Sequence, residues 1–315
     1  MEIGRVTAAH LNDPAFAAVD AHPFTGEFGR RYYPAVFGDR RRDESFTIDD
    51  RGVARLLVAY TAGEGVLDWY GMPIRMFARA GAASDAAIVE AALAHLDTLA
   101  GKHAAGQIAI LEMPGLPLAA QCRGHGYHAT EHDFASADLT GGEAGLRKGL
   151  RKSFKSLLNW GKRNLTLEIY GKANPGRALF KRYQDFHAQV AGRTTRALES
   201  WEVMADWIGR GHGELVLGSL DGELVTGTMV VDGAETAYYA SGVYDRDRFD
   251  KPLAHWPLWL GMLHAGKRSM RVFDIGEIPR AGAAGAKEVN IGYFKRGFAT
   301  ETVTRNIWAS EREGR

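Results

Sequence analysis

The feature that most constrains this fold is a strand–helix–strand segment over residues 238–276. Residues 238–242 are strand-like, a helix carrying His255 and Trp259 follows, and residues 272–276 form a second strand-like run. A strand, a helix and a strand at this spacing predict a βαβ crossover with two adjacent parallel strands. Polar groups at such strand ends converge on one cleft. If the protein does chemistry, this segment is the first place to expect it.

Upstream of the crossover, three strand-like runs follow one another over residues 215–241. The first two are separated by Asp221-Gly222, a dipeptide typical of the type I′ hairpin turn, and Asp232-Gly233 predicts a second such turn. The pattern predicts a three-stranded antiparallel meander that leads directly into the parallel pair.

The rest of the sequence alternates strand-like and helical runs, which predicts a mixed α/β (α+β) fold. Asp85 is placed to cap a helix over residues 86–100. Further helices are predicted over residues 177–190 and 199–210. Both halves of the chain therefore have a similar content of elements.

Length and composition predict two domains. The chain has 315 residues, 45% of them hydrophobic, so each domain can bury a core; we expect them at 1–145 and 146–299. The net charge of +1 gives no overall attraction for nucleic acid or membranes. The single cysteine, Cys122, excludes an internal disulfide and fits a reducing compartment. No apolar run approaches the roughly 18 residues of a transmembrane helix, so we expect a cytoplasmic protein without a membrane span.

One basic segment, residues 147–163, departs from this neutral balance. Its apolar residues recur at helical spacing, which predicts an amphipathic helix with one packed face and one basic face. The segment contains no acidic residue, and its cations are Arg147, Lys148, Arg151, Lys152, Lys155, Lys162 and Arg163. Such a helix is either an ordinary solvated surface or a docking surface for a phosphate-bearing partner such as tRNA or coenzyme A.

Short motifs follow one another in a fixed order over most of residues 120–305. In the C-terminal half they are Tyr238-Tyr239 with Gly242, Pro252-Leu253-Ala254-His255 with Trp259, Phe273-Asp274-Ile275-Gly276, and Phe294-Lys295-Arg296-Gly297-Phe298. Upstream they are Gly126-Tyr127, Ala137-Asp138-Leu139 and Arg151-Lys152-Ser153-Phe154-Lys155. This ordered set resembles the FemABX-type aminoacyltransferases and the related BioF-like acyltransferases of the GNAT superfamily.

The resemblance implies two tandem GNAT-like domains, each a mixed, mostly antiparallel sheet flanked by helices. It implies transfer of an aminoacyl group from tRNA, or of an acyl group from a thioester, onto a primary amine. In one branch of the family that amine belongs to a cell-wall precursor. The resemblance also implies that residues 300–315 return to the first domain, with a strand at 302–308, and that the sheet splays to admit the acyl donor.

Three residues are expected to carry the chemistry. Aminolysis of an ester or thioester needs a deprotonated amine, and positive charge or donors for the oxyanion. By motif position, Lys295 is the expected source of that charge. Asp274 is expected to hold the acceptor amine or to pair with Lys295, a structural hydrogen-bonding role being the alternative. His255 is a candidate general base, although a histidine among apolar neighbours is more often a core residue.

Four further residues are expected to contact the substrate. Arg193 and Arg196 lie in a predicted loop where family members carry substrate-contacting basic residues. A guanidinium binds phosphate or carboxylate through two parallel hydrogen bonds; a solvated loop is the alternative. Tyr239 on its strand and Phe294 beside Lys295 complete the set, with a place in the core as the alternative for Tyr239.

The donor is expected to be a co-substrate, aminoacyl-tRNA or acyl-CoA, with no tightly bound cofactor. Arg151, Lys152 and Lys155 of the basic segment are the expected donor-binding residues. No glycine-rich phosphate loop precedes the helix that begins near Pro252, which weakens the coenzyme A alternative.

No metal site is predicted. His128 and His132 lie four residues apart on a predicted strand, where they are too distant from each other to share one ion. The acceptor is expected to be a small-molecule amine, and the sequence leaves the oligomeric state open. The rival hypothesis is a binding protein that has kept the double fold, holds RNA or a nucleotide conjugate, and has lost turnover.

Overall fold

The computed structural model describes residues 1–82, 85–280 and 285–311, which form mixed α/β structure. The strands in chain order are β1 (Glu2–Arg5), β2 (Arg42–Asp43), β3 (Phe46–Asp50), β4 (Val53–Ala59), β5 (Thr61–Gly63), β6 (Val66–Asp68), β7 (Arg75–Ala78), β8 (Gln107–Leu111), β9 (His128–Asp138), β10 (Thr166–Tyr170), β11 (Gly213–Leu220), β12 (Glu223–Asp232), β13 (Thr236–Tyr244), β14 (Val272–Ile278) and β15 (Glu301–Glu311). The α-helices are α1 (Ala8–Leu11), α2 (Ala18–Ala21), α3 (Glu27–Phe37), α4 (Ala86–His103), α5 (Leu118–Gly124), α6 (Gly142–Gly149), α7 (Phe154–Asn164), α8 (Arg177–Ala191), α9 (Leu198–Gly209), α10 (His255–Lys267) and α11 (Ala286–Phe298).

The first compact unit consists of Met1–Asp20, Phe37–His132 and Thr304–Arg315. One of its sheets has the antiparallel order β1-β3-β4-β7. A second group of strands includes β8, which pairs antiparallel with β15 and parallel with β6. Helix α4 begins as predicted, because the Asp85 side chain accepts a hydrogen bond from the Ala87 N–H at 3.0 Å. The strand predicted at 302–308 is confirmed as part of β15.

The second unit consists of Ala21–Val36 and Asp133–Val303. Its strands lie in the order β10-β11-β12-β13-β14-β9, and every neighbouring pair is antiparallel except β13 and β14. Asp221 and Gly222 both have positive φ, 53° and 84°, as the predicted type I′ turn requires. The predicted meander and the predicted βαβ crossover through α10 are both confirmed.

Each face of the second unit's sheet is covered by helices. Alternate residues of a strand point to opposite faces, and Val230 of β12 belongs to one apolar cluster while Met229 and Val231 belong to the other. The first cluster includes residues of α6, α7 and α10, and the second includes residues of α8 and α9. Burial of apolar surface on both faces fixes the strands that carry the predicted site.

The basic segment 147–163 forms two helices, α6 and α7, and the prediction of one continuous helix is wrong. A Cβ on Gly149 would lie 2.8 Å from the Thr300 Cγ2 and 3.1 Å from the Thr300 Cα, so the chain passes directly against Thr300 here. Leu150 then takes an extended conformation, and the Arg151 N–H donates to the Gly297 carbonyl at 2.9 Å. Backbone pairing with another segment thus replaces the helical hydrogen bonds at the break.

The second predicted Asp-Gly turn is also wrong. Asp232 is the last residue of β12, is 2% exposed, and forms an ion pair with Arg268. The chain reverses over a longer connection, in which the Gly233 N–H donates to the Thr236 carbonyl at 2.9 Å. The ion pair with Arg268 allows Asp232 to be buried in a strand. Because Arg268 is 36 residues further along the chain, the sequence around Asp232 does not predict this partner.

The compact units divide the chain differently from the predicted domains at 1–145 and 146–299. Residues 21–36 and 133–145 belong to the second unit, although the prediction puts both in the N-terminal domain. Of the predicted ranges, residues 83–84, 281–284 and 312–315 lie outside the described residues.

Candidate active site

Strands β13 and β14 separate part-way along their length. Their parallel pairing runs from Thr236 opposite Val272 to Tyr238 opposite Asp274. Both strands continue beyond this last pair, β13 to Tyr244 and β14 to Ile278. The register of β13 against β12 shifts just beyond this point, at Ala240, and that of β14 against β9 shifts at Ile275. An extra residue in a strand bends it and interrupts its pairing. We call the interval between residues 239–244 of β13 and 275–278 of β14 the β13–β14 split.

Asp274 lies where the split begins. Its Oδ1 accepts a hydrogen bond from the Gly276 N–H at 2.6 Å, and its Oδ2 lies 2.9 Å from the His22 Nε2. The side chains of His22 and Asp274 are 16% and 24% exposed. Gly276 has a φ of 90°, in the region that favours glycine, and this conformation turns its N–H back onto the carboxylate.

Lys295, carried by α11, reaches the same place. Its Nζ donates to the Glu277 carbonyl at 2.8 Å, and a Cβ on Gly276 would lie 3.1 Å from the Nζ. Burial lowers the pKa of Lys295, and the nearby Asp274 and Glu277 carboxylates partly oppose that shift. The structure therefore brings two predicted catalytic residues together at Gly276, as a cation and a carboxylate in a partly desolvated setting.

Two residues of this group were not predicted as site residues, His22 and Tyr238. The Tyr238 ring packs 4.5 Å from the Phe24 ring and 5.7 Å from the His22 ring, measured between centroids. His22 and Asp274 are 252 residues apart in sequence, so no local pattern connects them. The residues around His22 are mostly apolar and form no recognised motif, so no signal in the sequence marks His22 as a site residue.

His255, the predicted general base, lies among aromatic rings. Its ring centroid is 4.6 Å from that of Phe154, 5.3 Å from that of Phe294 and 5.8 Å from that of Phe298. Burial lowers the pKa of His255 to about 4. A histidine with such a pKa is neutral at pH 7 and is a weak base. These surroundings favour the core alternative, and a role as base stays a prediction.

Phe294 belongs to the same aromatic group. Its ring lies 5.2 Å from the Phe298 ring and anchors the turn of α11 that presents Lys295. Substrate contact by Phe294 stays a prediction, while its packing explains why a phenylalanine precedes the lysine.

The two loop arginines occupy different surroundings. Arg193 is exposed, whereas the Arg196 guanidinium lies 5.1 Å from the Trp201 ring centroid and 3.4 Å from the His187 Nε2. The pKa of His187 is lowered by burial and by the charge of Arg196. Arg196 therefore packs against the Trp201 and His187 rings of the second unit, whereas Arg193 lies on the surface.

Tyr239 is enclosed next to the split. Its hydroxyl forms a hydrogen bond with the Tyr244 hydroxyl, and burial raises the pKa of Tyr239 well above its usual value. Gly242 leaves room for this pair, because a Cβ there would overlap both hydroxyl groups. Tyr239 is therefore a neutral hydrogen-bonding group, and its contact with the substrate stays a prediction.

The predicted donor-binding cations lie at the start of α7. Lys152 and Lys155 are exposed, while the Arg151 guanidinium stacks 3.6 Å from the Tyr293 ring centroid and donates to the Tyr293 carbonyl at 2.8 Å. We call the exposed cations of this region the basic face; they are Lys148, Lys152, Lys155, Lys162 and Arg163. Arg147 is not part of it, because Glu143 on the previous turn of α6 forms an ion pair with it.

The described part of the chain has neither a metal-binding cluster nor a membrane-spanning helix. Over residues 1–82, 85–280 and 285–311, no three His, Cys, Asp or Glu side chains lie close enough to hold a metal ion. None of the helices there is both long and apolar enough to cross a membrane. The lack of a metal in the reaction stays a prediction.

The likeness of this chain to known proteins lies in its structure and not in its sequence. No family model matches the sequence, and no curated protein matches it. The structure is similar to FemX, with a TM-score of 0.69 and 13% sequence identity over 97% of both chains. The fold is that of FemX and the tandem GNAT proteins.

Two other solved structures support this statement about the fold. A tandem GNAT protein from the clavulanic acid biosynthesis pathway has a TM-score of 0.58 and 16% identity over 98% of both chains. L-PGS from Bacillus licheniformis has a TM-score of 0.55 and 14% identity over 88% of this chain and 85% of that chain. The predicted α/β class and the predicted FemABX/GNAT type of fold are thereby confirmed.

Proposed function

We propose that this protein is an N-acyltransferase that forms an amide bond at the β13–β14 split. The observation that carries the proposal is the convergence of Lys295, Asp274 and the Gly276 backbone where the two parallel strands part. An opening between strands admits an extended acyl donor, and the Lys295 cation lies at its edge. The structural likeness to FemX and to a tandem GNAT protein supports the same reaction class.

The proposed chemistry is aminolysis. The nitrogen of a neutral primary amine attacks the donor carbonyl carbon, a C–N bond forms, and negative charge develops on the carbonyl oxygen. Collapse of this intermediate breaks the bond to the tRNA ribose oxygen or the coenzyme A sulfur. The leaving group takes up one proton, and an acceptor that arrives as an ammonium ion releases one further proton to solvent. Lys295 stabilises the oxyanion, a contribution typically worth about 10² to 10³ in rate.

Asp274 acts as an anion rather than as the base in this proposal. Each of its carboxylate oxygens accepts a hydrogen bond, and hydrogen bonds to the charged form of a carboxyl group favour that form. An ionised Asp274 can hold the acceptor as an ammonium ion near the donor carbonyl. The ammonium ion releases its extra proton to solvent, and the neutral nitrogen that remains beside Asp274 then attacks.

Aminoacyl-tRNA is the proposed donor, with acyl-CoA as the alternative. The exposed basic face can meet several phosphates of a tRNA arm, and the sequence before α10 lacks a glycine-rich phosphate loop. Because charged tRNA is made for translation, we place the reaction in the cytoplasm. The acceptor is proposed to be a small-molecule primary amine, and no tightly bound cofactor takes part.

A transfer assay with both donors tests the proposal. The purified chain is incubated with a mixture of aminoacyl-tRNAs, or with acetyl-CoA, and with a panel of primary amines, and amide products are identified by mass spectrometry. We expect product from one donor class, and at least about tenfold less product with Lys295→Ala under the same conditions. Binding of RNA without any amide product would instead support the rival binding protein.

A further inference from the structure

The N-terminal segment Ala21–Val36 is part of the second unit and lies against the connection between β12 and β13. The Glu235 N–H donates to the Ala21 carbonyl at 3.2 Å. A Cβ on Gly233 would lie 2.8 Å from both the Ala21 carbonyl oxygen and the Pro23 nitrogen, so the backbones pack here without room for a side chain. This contact places His22 at the edge of the sheet that carries Asp274.

The hydrogen bonds of His22 determine which ring nitrogen bears the proton. The Phe24 N–H donates to the Nδ1 at 3.1 Å, so this nitrogen is an acceptor and carries no hydrogen. A neutral imidazole then has its hydrogen on the Nε2, which points at the Asp274 Oδ2 at 2.9 Å. The ring itself is packed against Phe24, with centroids 4.4 Å apart.

We propose that His22 is a positioning residue for amide transfer, holding the Asp274 carboxylate in place by donating from its Nε2 to the Oδ2. This inference rests on the proposed function of the split. The Gly276 N–H fixes the other oxygen, the Oδ1, so the two donors together define the plane of the carboxylate. A carboxylate held in this way presents its charge to the acceptor amine in one orientation.

His22 thereby gives residues 21–26, which precede α3, a role in catalysis although they lie about 250 residues from Asp274 in sequence. Without the imidazole donor, Asp274 gains freedom to rotate, and the acceptor amine loses its fixed anionic partner. Misplacement of a reacting group by about 1 Å can cost about 10²-fold in rate. The effect should fall on the acceptor rather than on the donor, because Asp274 is proposed to hold the amine.

Four variants and the wild type test the inference: His22→Leu, His22→Gln, Asp274→Asn and the double change His22→Leu with Asp274→Asn. We expect His22→Leu to lower kcat/KM for the acceptor about 10- to 100-fold with an unchanged donor KM. His22→Gln, whose amide N–H₂ can still donate to the Oδ2, should stay within about threefold of the wild type. The double variant should be no slower than Asp274→Asn alone, since coupled residues give non-additive losses.

Two outcomes would overturn the inference while leaving the proposed function intact. Equal losses for His22→Gln and His22→Leu would mean that His22 acts by its own titration. Losses that multiply in the double variant would mean that His22 acts independently of Asp274 and does not position its carboxylate.

A readout without turnover separates the inference from the proposed function. ¹⁵N NMR of the histidine ring should show the Nε2–H tautomer for His22 at neutral pH in the wild type. The Nδ1–H tautomer would overturn the inference whatever the activity. The expected tautomer in a chain that forms no amide with any donor would overturn the proposed function, and with it the catalytic role of His22, while leaving the geometry established.

Discussion

Lys295 and Asp274 meet at Gly276 even though 20 intervening residues separate them in sequence. The sequence predicts both residues because each lies in a short motif of the family resemblance, Asp274 in residues 273–276 and Lys295 in residues 294–298. His22 had no such context, since its partner Asp274 is 252 residues away. The part of the site that depends on long-range contact is the part that the sequence could not predict.

Removal of the Lys295 charge should affect turnover and not folding. We expect Lys295→Ala to lower turnover at least about tenfold, and up to about 10³-fold if the ammonium is the main oxyanion donor. The thermal midpoint should hardly change, since the Nζ pairs with a carbonyl at the edge of the sheet. Steady-state kinetics and thermal unfolding measure both, with Arg296→Ala, the exposed neighbour, as the matched control. Full activity of Lys295→Ala would remove this residue from the mechanism.

His255 should make folding sensitive to acid. The unfolded side chain takes up a proton below about pH 6.5, while burial lowers its folded pKa to about 4. The neutral form is therefore favoured by folding, so this stabilisation is complete above pH 6.5, is lost progressively as the pH falls from 6.5 to 4, and is gone below pH 4. From pH 7 to pH 4.5, the wild type should lose about 2 to 3 kcal/mol of unfolding free energy through this residue.

Urea unfolding at the two pH values checks this expectation. His255→Phe keeps a ring among Phe154, Phe294 and Phe298 but cannot be protonated, so its unfolding free energy should fall less by the stated amount. Taking the difference between the two proteins cancels the other titrating groups. An identical pH dependence would show that His255 is solvated in the folded protein.

At the level of elements, α6 and α7 show what the helical spacing of apolar residues predicts and what it does not predict. The apolar positions Leu146, Leu150, Phe154 and Leu158 are all buried, as the pattern predicts. The break between the helices was invisible to the pattern, because it comes from the close approach of Gly149 to Thr300. Periodicity reports which side is packed, whereas tertiary contact decides where a helix stops.

The basic face should bind tRNA with a steep dependence on salt. If Lys152 and Lys155 each neutralise a phosphate, changing both to Glu should flatten the log–log slope of affinity against salt by about 2. The control pair Lys102→Glu with Lys267→Glu makes the same change in net charge at exposed positions of other helices. Titrations of labelled tRNA between about 50 and 200 mM salt measure the slopes. A shallow slope that neither pair alters, with clear acyl-CoA binding, would reverse the preference for tRNA.

A buried ionic group connects the end of α10 to strands β11 and β12 of the sheet. Arg268, directly after the helix, donates to both oxygens of Asp232 at 2.6 and 3.1 Å and lies 3.3 Å from Glu214. The two carboxylate side chains are 3% and 6% exposed. Loss of one partner from such a group leaves charge buried and uncompensated, which typically costs about 3 to 5 kcal/mol.

Arg268→Met should therefore lower the unfolding free energy by about 3 to 5 kcal/mol. Lys267→Met, at the exposed neighbouring position, should change it by less than about 0.5 kcal/mol. Urea titrations at neutral pH compare the two variants with the wild type. Equal effects of both substitutions would show that the ionic group does not hold α10.

For the molecule as a whole, local pattern predicts the mixed α/β class and part of the second unit, and it misses α11 and the break between α6 and α7. The Asp-Gly hairpin, the crossover and the two helices α8 and α9 follow from features within about 40 residues of each other. The assignment of Ala21–Val36 to the second unit depends on packing against Gly233 and Tyr238 instead. Such contacts carry no periodic signature, so the extent of each unit had to come from the structure.

Ligand-dependent hydrogen–deuterium exchange tests the central claim, that the acyl donor enters the β13–β14 split. The probes are an aminoacyl-tRNA analogue with a hydrolysis-resistant amide link and an acyl-CoA analogue with a thioether link. We predict that at least one slows exchange in residues 239–244 and 275–278. The same ligand should leave exchange unchanged at the cavity of about 710 Å³ lined by Phe186, Leu224 and Asp245. Binding of either analogue with protection only outside the split, or no binding of either, would contradict the account.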